Sequence, residues 1–332
     1  MKKITVVFLI AVLFCPVLSA QNRSKVSAEK LEKIIADFDA YVQKTRRQWN
    51  IPGMSVCVVV GDKIAYKKSF GVREIKKSPA VDNKTIFQIA SCTKSFTAVL
   101  TAMLVDYGYF SWDDKVIKYL PDFRLYDKKT SEEMTIEDLL SQNSGLPAYS
   151  QHLMMLFGYD KDYIVESMRY IKPESPFRTK YAYQNNLYLV LEKIIEKVTG
   201  KTWQKHMIEM ILTPLDMKYT TLNYNGYVKS KNKAVGHYYA AGTLTSVPED
   251  LTYDKWPYLF AAASGVNSNI DDMSKWLKFI VNGASVYEIS FLSETNYNKL
   301  FENKVFVNNS QSDKTKKNYY CMGWRSSQYK PE

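Results

Sequence analysis

IFQIASCTKSFTAVLTAMLVD, residues 86–106, contains the features that decide the fold. A short apolar stretch leads to Ser91, and apolar residues then recur at the 3.6-residue spacing of a buried helix face. We predict a helix from Ser91 to Asp106, ended by Gly108 in a left-handed conformation. Because Lys94 follows Ser91 by three residues, the two side chains share one face at the start of this helix.

The Ser-x-x-Lys pattern of Ser91 and Lys94 suits nucleophilic catalysis. A serine hydroxyl is a poor nucleophile without a base beside it, and a partly desolvated lysine can act as that base. The start of a helix adds unpaired N–H groups and positive potential where an oxyanion would develop. The alternative is a serine that only caps the helix, with a lysine in solvent.

The pattern alone does not select Ser91, because it occurs four times, at Ser27, Ser91, Ser230 and Ser327. Only Ser91 combines an apolar approach with a long apolar helix behind it. Ser27 is instead the predicted amino-terminal cap of the first helix. Helix placement therefore marks Ser91 as the candidate nucleophile.

Further along the chain, Tyr183-Gln184-Asn185 is the only Tyr-x-Asn sequence, and it precedes a predicted helix over Asn186–Thr199. A tyrosine near cationic groups can act as general acid or base. An asparagine amide can hydrogen-bond both a substrate amide and a catalytic lysine. The alternative is an aromatic helix entry with Asn185 as its cap. Local chemistry does not link Tyr183 to Ser91, and only a fold can bring them together.

The remaining elements predict an α+β fold, an antiparallel sheet flanked by helices plus a mainly helical part over residues 107–250. Apolar and β-branched runs on both sides of a Gly-Asp turn indicate a hairpin near the amino end. Helical spacing and a carboxyl-terminal apolar run give the other elements, with predicted bounds of Met54–Val60 and Ile64–Phe70 for the hairpin, Thr135–Leu140 and Asp271–Val281 for two helices, and Tyr319–Trp324 for a strand.

The first twenty residues are a predicted signal peptide. Lys2 and Lys3 precede an apolar run too short to span a bilayer, and small residues near Ala20 offer a cleavage site. We expect a secreted or periplasmic protein with one hydrolase-like domain over residues 21–332. Lipid attachment at Cys15 is the weaker alternative, because a bulky phenylalanine precedes that cysteine. No later stretch is long enough for a membrane span.

Charge and composition exclude several classes of function. The formal net charge is +11, or +9 without the leader, but the basic residues are scattered among acidic ones. This distribution argues against nucleic-acid binding and favours a basic solvated surface, with an anionic substrate as the alternative. The cysteines and histidines after the leader are few and widely spaced, so no metal or other cofactor is expected; they are Cys57, Cys92, Cys321, His152, His206 and His237.

The segment around Ser91 resembles the first motif of the class C β-lactamase-related family, which includes class C β-lactamases, D-Ala-D-Ala peptidases, D-aminopeptidases and some esterases. The resemblance runs in order over residues 30–325, through YFSWDD (109–114), YLP (119–121), TIEDLLSQNSGLP (135–147), YQN (183–185), VTG (198–200) and PL (214–215). It implies Ser91 as nucleophile, Lys94 as its proton partner, Tyr183 as general acid or base and Asn185 as substrate-binding residue. The Ser91 N–H would be one oxyanion donor.

The chain departs from this family in two respects. Members of the family have a third motif, which is either Lys-Thr-Gly or His-x-Gly. Neither pattern occurs in this sequence, and the chain ends shortly after YCMGW (320–324). We therefore expect the second oxyanion donor, the carboxylate-binding group and the closing carboxyl-terminal strands to be missing, as in a truncated sequence. Gln142 stands where many relatives have histidine before the Ser-Gly pair.

Two functions remain open from the sequence. The first is a serine hydrolase that forms a Ser91 acyl-enzyme with a D-amino peptide, a β-lactam or a small ester. The second is an impaired or truncated member that binds cell-wall peptide without turnover. In both cases the expected partner is a small-molecule or peptide substrate, with a peptidoglycan-derived peptide as one candidate, and we expect a monomer that does not bind nucleic acid.

Overall fold

The computed structural model describes residues 27–77, 79–248, 252–311 and 315–328. The predicted signal peptide and Cys15 lie outside these residues. The chain divides into two compact units, Met1–Lys44 and Thr45–Glu332. Among the described residues, no helix has both the length and the apolar character that crossing a bilayer requires.

Helices contain more of the described residues than strands do. The first begins after Ser27, whose Oγ accepts the backbone N–H of Lys30 at 3.2 Å as predicted for a cap. The α-helices that the structure describes are α1 (Ala28–Gln48), α2 (Thr93–Asp106), α3 (Val116–Tyr119), α4 (Lys128–Glu133), α5 (Ile136–Ser141), α6 (Lys161–Ser167), α7 (Asn186–Thr199), α8 (Trp203–His206), α9 (Tyr224–Lys229), α10 (Thr252–Leu259), α11 (Ala261–Ser264), α12 (Ile270–Val281) and α13 (Glu294–Lys299). Shorter turns of 3₁₀ or π type are Ala90–Cys92, Met154–Phe157, Met168–Tyr170 and Met207–Leu212.

The strands are short and pair antiparallel. They are β1 (Gly53–Val60), β2 (Lys63–Gly71), β3 (Phe87–Gln88), β4 (His237–Ala240), β5 (Thr243–Ser246), β6 (Asn267–Ser268), β7 (Ser285–Val286), β8 (Ile289–Ser290), β9 (Val305–Asn309), β10 (Lys317–Tyr320) and β11 (Arg325–Ser327). Strands β1 and β2 form the predicted hairpin, and β9, β10 and β11 form a three-stranded sheet. The mixture of helices and antiparallel strands is the predicted α+β class.

The core surrounds α2, which has twelve consecutive buried residues and is therefore buried on all sides. A helix of this kind is stable only when other elements enclose it. The Phe96 ring stacks on Trp276 of α12 with centroids 3.8 Å apart. The Thr97 hydroxyl donates to the Ala262 carbonyl of α11 at 2.6 Å and accepts from Trp203 Nε1 at 3.1 Å. The first turn of α2 is thus fixed from several directions.

The segment that leads to Ser91 is a strand and a tight turn. Strand β3 pairs with β6, and the Ile89 N–H donates to the Val266 carbonyl at 3.1 Å. Ala90 then has a φ of +44°, a left-handed conformation that is uncommon without glycine. Ser91 therefore lies in a 3₁₀ turn, and the α-helix predicted from Ser91 begins at Thr93 instead.

The other predicted elements agree with the structure except at the carboxyl end. The helix predicted over Asn186–Thr199 is α7, with Gly200 in the left-handed conformation after it. The strand predicted over Tyr319–Trp324 ends at Tyr320, because the next four residues turn the chain into β11. The Cys321 N–H donates to the Trp324 carbonyl across this turn at 2.9 Å.

Candidate active site

The fold brings together the four residues that the sequence singled out. Lys94 Nζ lies 3.3 Å from Ser91 Oγ and 2.7 Å from Asn185 Oδ1. The Tyr183 hydroxyl donates to Ser91 Oγ at 2.7 Å. Ser91 comes from the 3₁₀ turn before α2 and Lys94 from the first turn of α2, whereas Tyr183 and Asn185 come from the loop before α7. A helical turn and a distant loop therefore converge on one serine oxygen.

Neither of the alternative roles of Ser91 and Lys94 fits this geometry. The first turn at Ser91 and helix α2 both begin without a side-chain cap, so Ser91 does not cap the helix. Lys94 is 1% exposed, so it is not a solvated lysine. Asn185 precedes α7 but its side chain does not cap that helix either, because its amide oxygen accepts from Lys94.

The surroundings of Lys94 match a neutral amine. Nζ donates to two carbonyl oxygens, Asn185 Oδ1 at 2.7 Å and the Ala263 backbone oxygen of α11 at 3.1 Å. Nζ also lies within donor distance of Ser91 Oγ, at 3.3 Å. In the neutral amine the two carbonyl oxygens take both N–H groups, and the lone pair then faces Ser91 Oγ. Burial disfavours the ammonium form and lowers the pKa of Lys94 to about 7.

Tyr183 keeps its proton at neutral pH. Burial raises the pKa of Tyr183 to about 12, although the hydrogen bond with Ser91 opposes the rise. Lys94 Nζ lies 4.7 Å from the centre of the Tyr183 ring and 5.1 Å from that of Tyr188. The two aromatic faces stabilise positive charge on the amine when it forms.

Two residues that the sequence did not mark as functional hold the Tyr183 loop. The Asn185 N–H donates to His152 Nε2 at 3.0 Å, and Gln142 bonds the backbone of Gln184. Burial, and then the charge of Lys94, lower the pKa of His152 to about 4, so its ring is a neutral acceptor. Gln142 was visible in the sequence only as a departure from the relatives, and no local pattern pointed to His152.

The cavity above Ser91 has a volume of about 430 Å³, and its wall includes one cationic side chain besides Lys94. Its wall includes the turn after β10 and the exposed Arg325, whose guanidinium donates to the Tyr181 hydroxyl at 3.0 Å. Arg325 directly follows the YCMGW stretch, so the cavity wall includes a cationic side chain close to the end of the chain. Among residues 27–77, 79–248, 252–311 and 315–328, no group of three His, Cys, Asp or Glu side chains is arranged to hold a metal.

Comparison with known proteins agrees with this geometry. The family model described as Beta-lactamase matches residues 38–330, so the chain belongs to the Beta-lactamase family. The octameric penicillin-binding protein homologue from Pyrococcus abyssi superposes with a TM-score of 0.73 over 88% of this chain and 64% of that chain, at 24% identity. That similarity shows a fold of the penicillin-binding protein and β-lactamase type.

Two curated relatives show how far the similarity extends. The chain is 30% identical to "Unguisins hydrolase ungD'" of Aspergillus campestris over 93% of its own length and 57% of that protein. It is 28% identical to "Protein flp" of Staphylococcus aureus strain MW2 over 75% of its own length and 49% of that protein. The chain thus spans about half the length of the curated relatives it matches, and it is a β-lactamase-fold member of a hydrolase family.

Proposed function

We propose that this protein is a secreted serine hydrolase that forms an acyl-enzyme on Ser91 with an amide or ester substrate. The observation that carries the proposal is the environment of Lys94. Nζ lies within hydrogen-bond distance of two carbonyl oxygens and of Ser91 Oγ, so that in the neutral amine the carbonyls take both N–H groups and the lone pair faces Ser91 Oγ. A base with a pKa of about 7 is suited to removing a proton near neutral pH.

In the proposed acylation, the Ser91 proton moves to Lys94 Nζ while Oγ attacks the substrate carbonyl carbon. The Tyr183 hydroxyl donates to Ser91 Oγ, and it lies close enough to pass a proton to the leaving nitrogen or oxygen. Lys94 then passes the proton that it took to the Tyr183 oxygen, so the leaving group departs neutral and both residues regain their starting protonation states. A water molecule hydrolyses the ester by the reverse sequence of proton transfers.

In this scheme Tyr183 is a proton donor and relay, and Lys94 is the base. The direction of proton transfer follows from the two pKa values. At pH 7–8 a phenol with a pKa of about 12 is protonated, whereas an amine with a pKa of about 7 is partly neutral. Asn185 orients the amine through its Oδ1, and its Nδ2, which lies 3.4 Å from His152 Nδ1, has a second N–H for the substrate. The Asn185 side chain would therefore contact both the base, Lys94, and the substrate.

We further propose that the substrate carries a carboxylate near its scissile bond. Arg325 lies at the cavity wall beside Tyr181, and its guanidinium is exposed to an incoming ligand. Arginine pairs with carboxylates through two parallel hydrogen bonds. A peptide or ester with a free carboxyl end fits this arrangement, and a β-lactam with its ring carboxylate fits the same description.

The test is covalent labelling with a fluorophosphonate probe at pH 8, where Lys94 is mostly neutral. We expect intact-mass analysis to show one label on the wild type and none on Ser91→Ala. Ser230→Ala is the matched control, since Ser230 also stands in a Ser-x-x-Lys sequence but outside the cavity, and we expect it to label fully. Labelling that persists in Ser91→Ala would exclude Ser91 as the nucleophile.

The second candidate function is binding of cell-wall peptide without turnover, which the absence of Lys-Thr-Gly and His-x-Gly favours. It predicts muropeptide binding of equal strength in the wild type and in Ser91→Ala, with no label and no product. Secretion is tested separately, by amino-terminal sequencing of the exported protein. A start at Gln21 is expected from the predicted leader.

A further inference from the structure

Gln142 occupies an unusual place beside the candidate site. It follows α5, has the left-handed conformation (φ 57°, ψ 35°) and is fully buried. Glycine is the usual residue in such a conformation, because it has no Cβ. A buried glutamine there needs hydrogen-bond partners for its amide as well.

The partners of Gln142 lie on both sides of Tyr183. The Ala182 N–H donates to the Gln142 backbone oxygen at 2.9 Å. On the other side, the Gln184 N–H donates to Gln142 Oε1 at 2.5 Å, and Gln142 Nε2 donates to the Gln184 carbonyl at 3.0 Å. The three bonds bracket Tyr183, whose own peptide carbonyl accepts the Tyr149 N–H at 2.8 Å.

A carboxamide is suited to this contact for a simple reason. Its donor and its acceptor lie side by side, so it pairs with the N–H and the C=O of one residue as a peptide group would. It also carries no charge at any ordinary pH. Tyr320 of β10 is the titratable group hydrogen-bonded to Gln142, and burial raises the pKa of its phenol, so it too is uncharged.

We propose that Gln142 is a positioning residue that fixes the Tyr183 hydroxyl on Ser91 Oγ and the Asn185 amide on Lys94. The inference rests on the proposed acylation by Ser91. Gln142 does not touch the serine or the cavity. It acts through the backbone on both sides of Tyr183, so its effect on the reaction is transmitted by Tyr183 and Asn185.

The first experiment measures backbone protection and needs no activity. We expect Gln142→Ala to increase amide hydrogen exchange in peptides that cover residues 182–186. Asn296→Ala is the matched control, since Asn296 is a buried carboxamide that accepts from Trp112 Nε1 at 2.7 Å and donates to Asp106 Oδ1 at 2.6 Å, and neither partner belongs to this loop. Unchanged exchange at 182–186 in Gln142→Ala overturns the inference, whatever the activity of the wild type.

The second experiment couples Gln142 to Tyr183. Misplacement of a catalytic group by about 1 Å costs on the order of 100-fold in rate, so we expect Gln142→Ala to slow fluorophosphonate labelling by about that factor. In the Tyr183→Phe background, the same change should cost less than about tenfold, because the hydroxyl that it positions is already gone. Equal factors in the two backgrounds would show a general structural effect and overturn the positioning role.

The third experiment uses Gln142→Glu and a pH series. A protonated carboxyl has the donor and the acceptor of the amide, whereas a carboxylate has only acceptors and faces the Gln184 carbonyl. The labelling rate of Gln142→Glu divided by that of the wild type should therefore rise about tenfold from pH 9 to pH 6. A ratio that stays flat, with loss of folding excluded by circular dichroism, contradicts the proposal. Failure of the wild type to label contradicts the proposed function instead.

Discussion

Ser91 and Lys94 lie three residues apart in one helical turn, whereas Tyr183 and Asn185 lie on a loop about ninety residues later. The first pair is positioned by the repeat of the helix and by the burial of α2. The second pair is positioned by side chains from other parts of the chain, among them Gln142 and His152. We call Ser91 and Lys94 the helix half of the candidate site, and Tyr183 and Asn185 the loop half. The position of the helix half therefore depends on local geometry, and that of the loop half depends on tertiary hydrogen bonds.

This difference has a consequence for how the two halves respond to change. A buried helix with core contacts on all sides tolerates a volume-conserving substitution with little movement. A loop held by a few hydrogen bonds moves when one donor or acceptor is lost. Substitutions in the helix half should thus report on chemistry, and substitutions around the loop should report on placement.

The largest effect is expected from Lys94→Met, which removes the base from the helix half and keeps the size of the side chain. Labelling of Ser91 should fall by about 10³-fold or more, within the range for loss of a general base. The labelling rate at pH 8 measures the effect. A loss below tenfold would mean that Tyr183 or another group takes the serine proton.

The same variant changes the pH dependence of stability. Because the pKa of Lys94 is lowered from 10.5 to about 7 in the folded state, the unfolded chain binds more protons between those values. The free energy of unfolding of the wild type should therefore rise relative to Lys94→Met from pH 7 to pH 9, by up to about 3 kcal/mol. Urea titrations of both proteins at pH 6, 7, 8 and 9 measure the slope, and parallel curves would contradict a lowered lysine pKa.

Tyr183→Phe tests the loop half at its contact with the serine. Loss of the hydroxyl should slow acylation by about 100-fold, while stability changes by less than about 1 kcal/mol. Stopped-flow acylation with an activated ester and thermal melting give the two numbers. Tyr170→Phe is a suitable control, because Tyr170 is exposed and does not line the cavity. Equal rates for the two variants would remove Tyr183 from the proposed mechanism.

Gly323→Ala tests the packing of the turn after β10 against the backbone of Lys94 in the helix half. A Cβ at Gly323 would lie 2.5 Å from the Lys94 carbonyl oxygen, and the residue has a φ of +77°. We expect a loss of about 2–3 kcal/mol in the free energy of unfolding. Gly200→Ala has a similar φ of +70° but nothing within 4 Å, so it should cost only about 1 kcal/mol. Denaturant titrations compare the two, and equal costs would exclude a steric effect at Gly323.

The smallest effect is expected from Arg325→Ala, at the exposed edge of the cavity. For substrates with a carboxylate, KM should rise by about five- to tenfold, as for one exposed charged hydrogen-bond pair. The matching carboxamide substrate should show no change, and it serves as the control. An equal rise in KM for both substrates would point to a change of cavity shape and not to loss of charge recognition.

Several features of the molecule were predictable from the sequence because their causes are local. The spacing of apolar residues gave α7 with both of its ends, and the Gly-Asp turn gave the hairpin of β1 and β2. The same reasoning placed Ser91 and Lys94 within reach of each other. It erred by two residues at the start of α2, because Ala90 has a left-handed conformation that no local preference of alanine predicts.

What the sequence by itself determined is the choice of Ser91 and Lys94, since only there does the three-residue separation follow an apolar approach and begin a long apolar helix. The tertiary structure alone decided how the loop half meets it, that Lys94 is buried between Asn185 Oδ1 and the Ala263 carbonyl, and that Arg325 reaches the cavity. The physical reason is that burial and long-range hydrogen bonds depend on which segments pack together. Burial by that packing is the main cause of the lowered pKa of Lys94, and the neighbouring Cys92 opposes the shift.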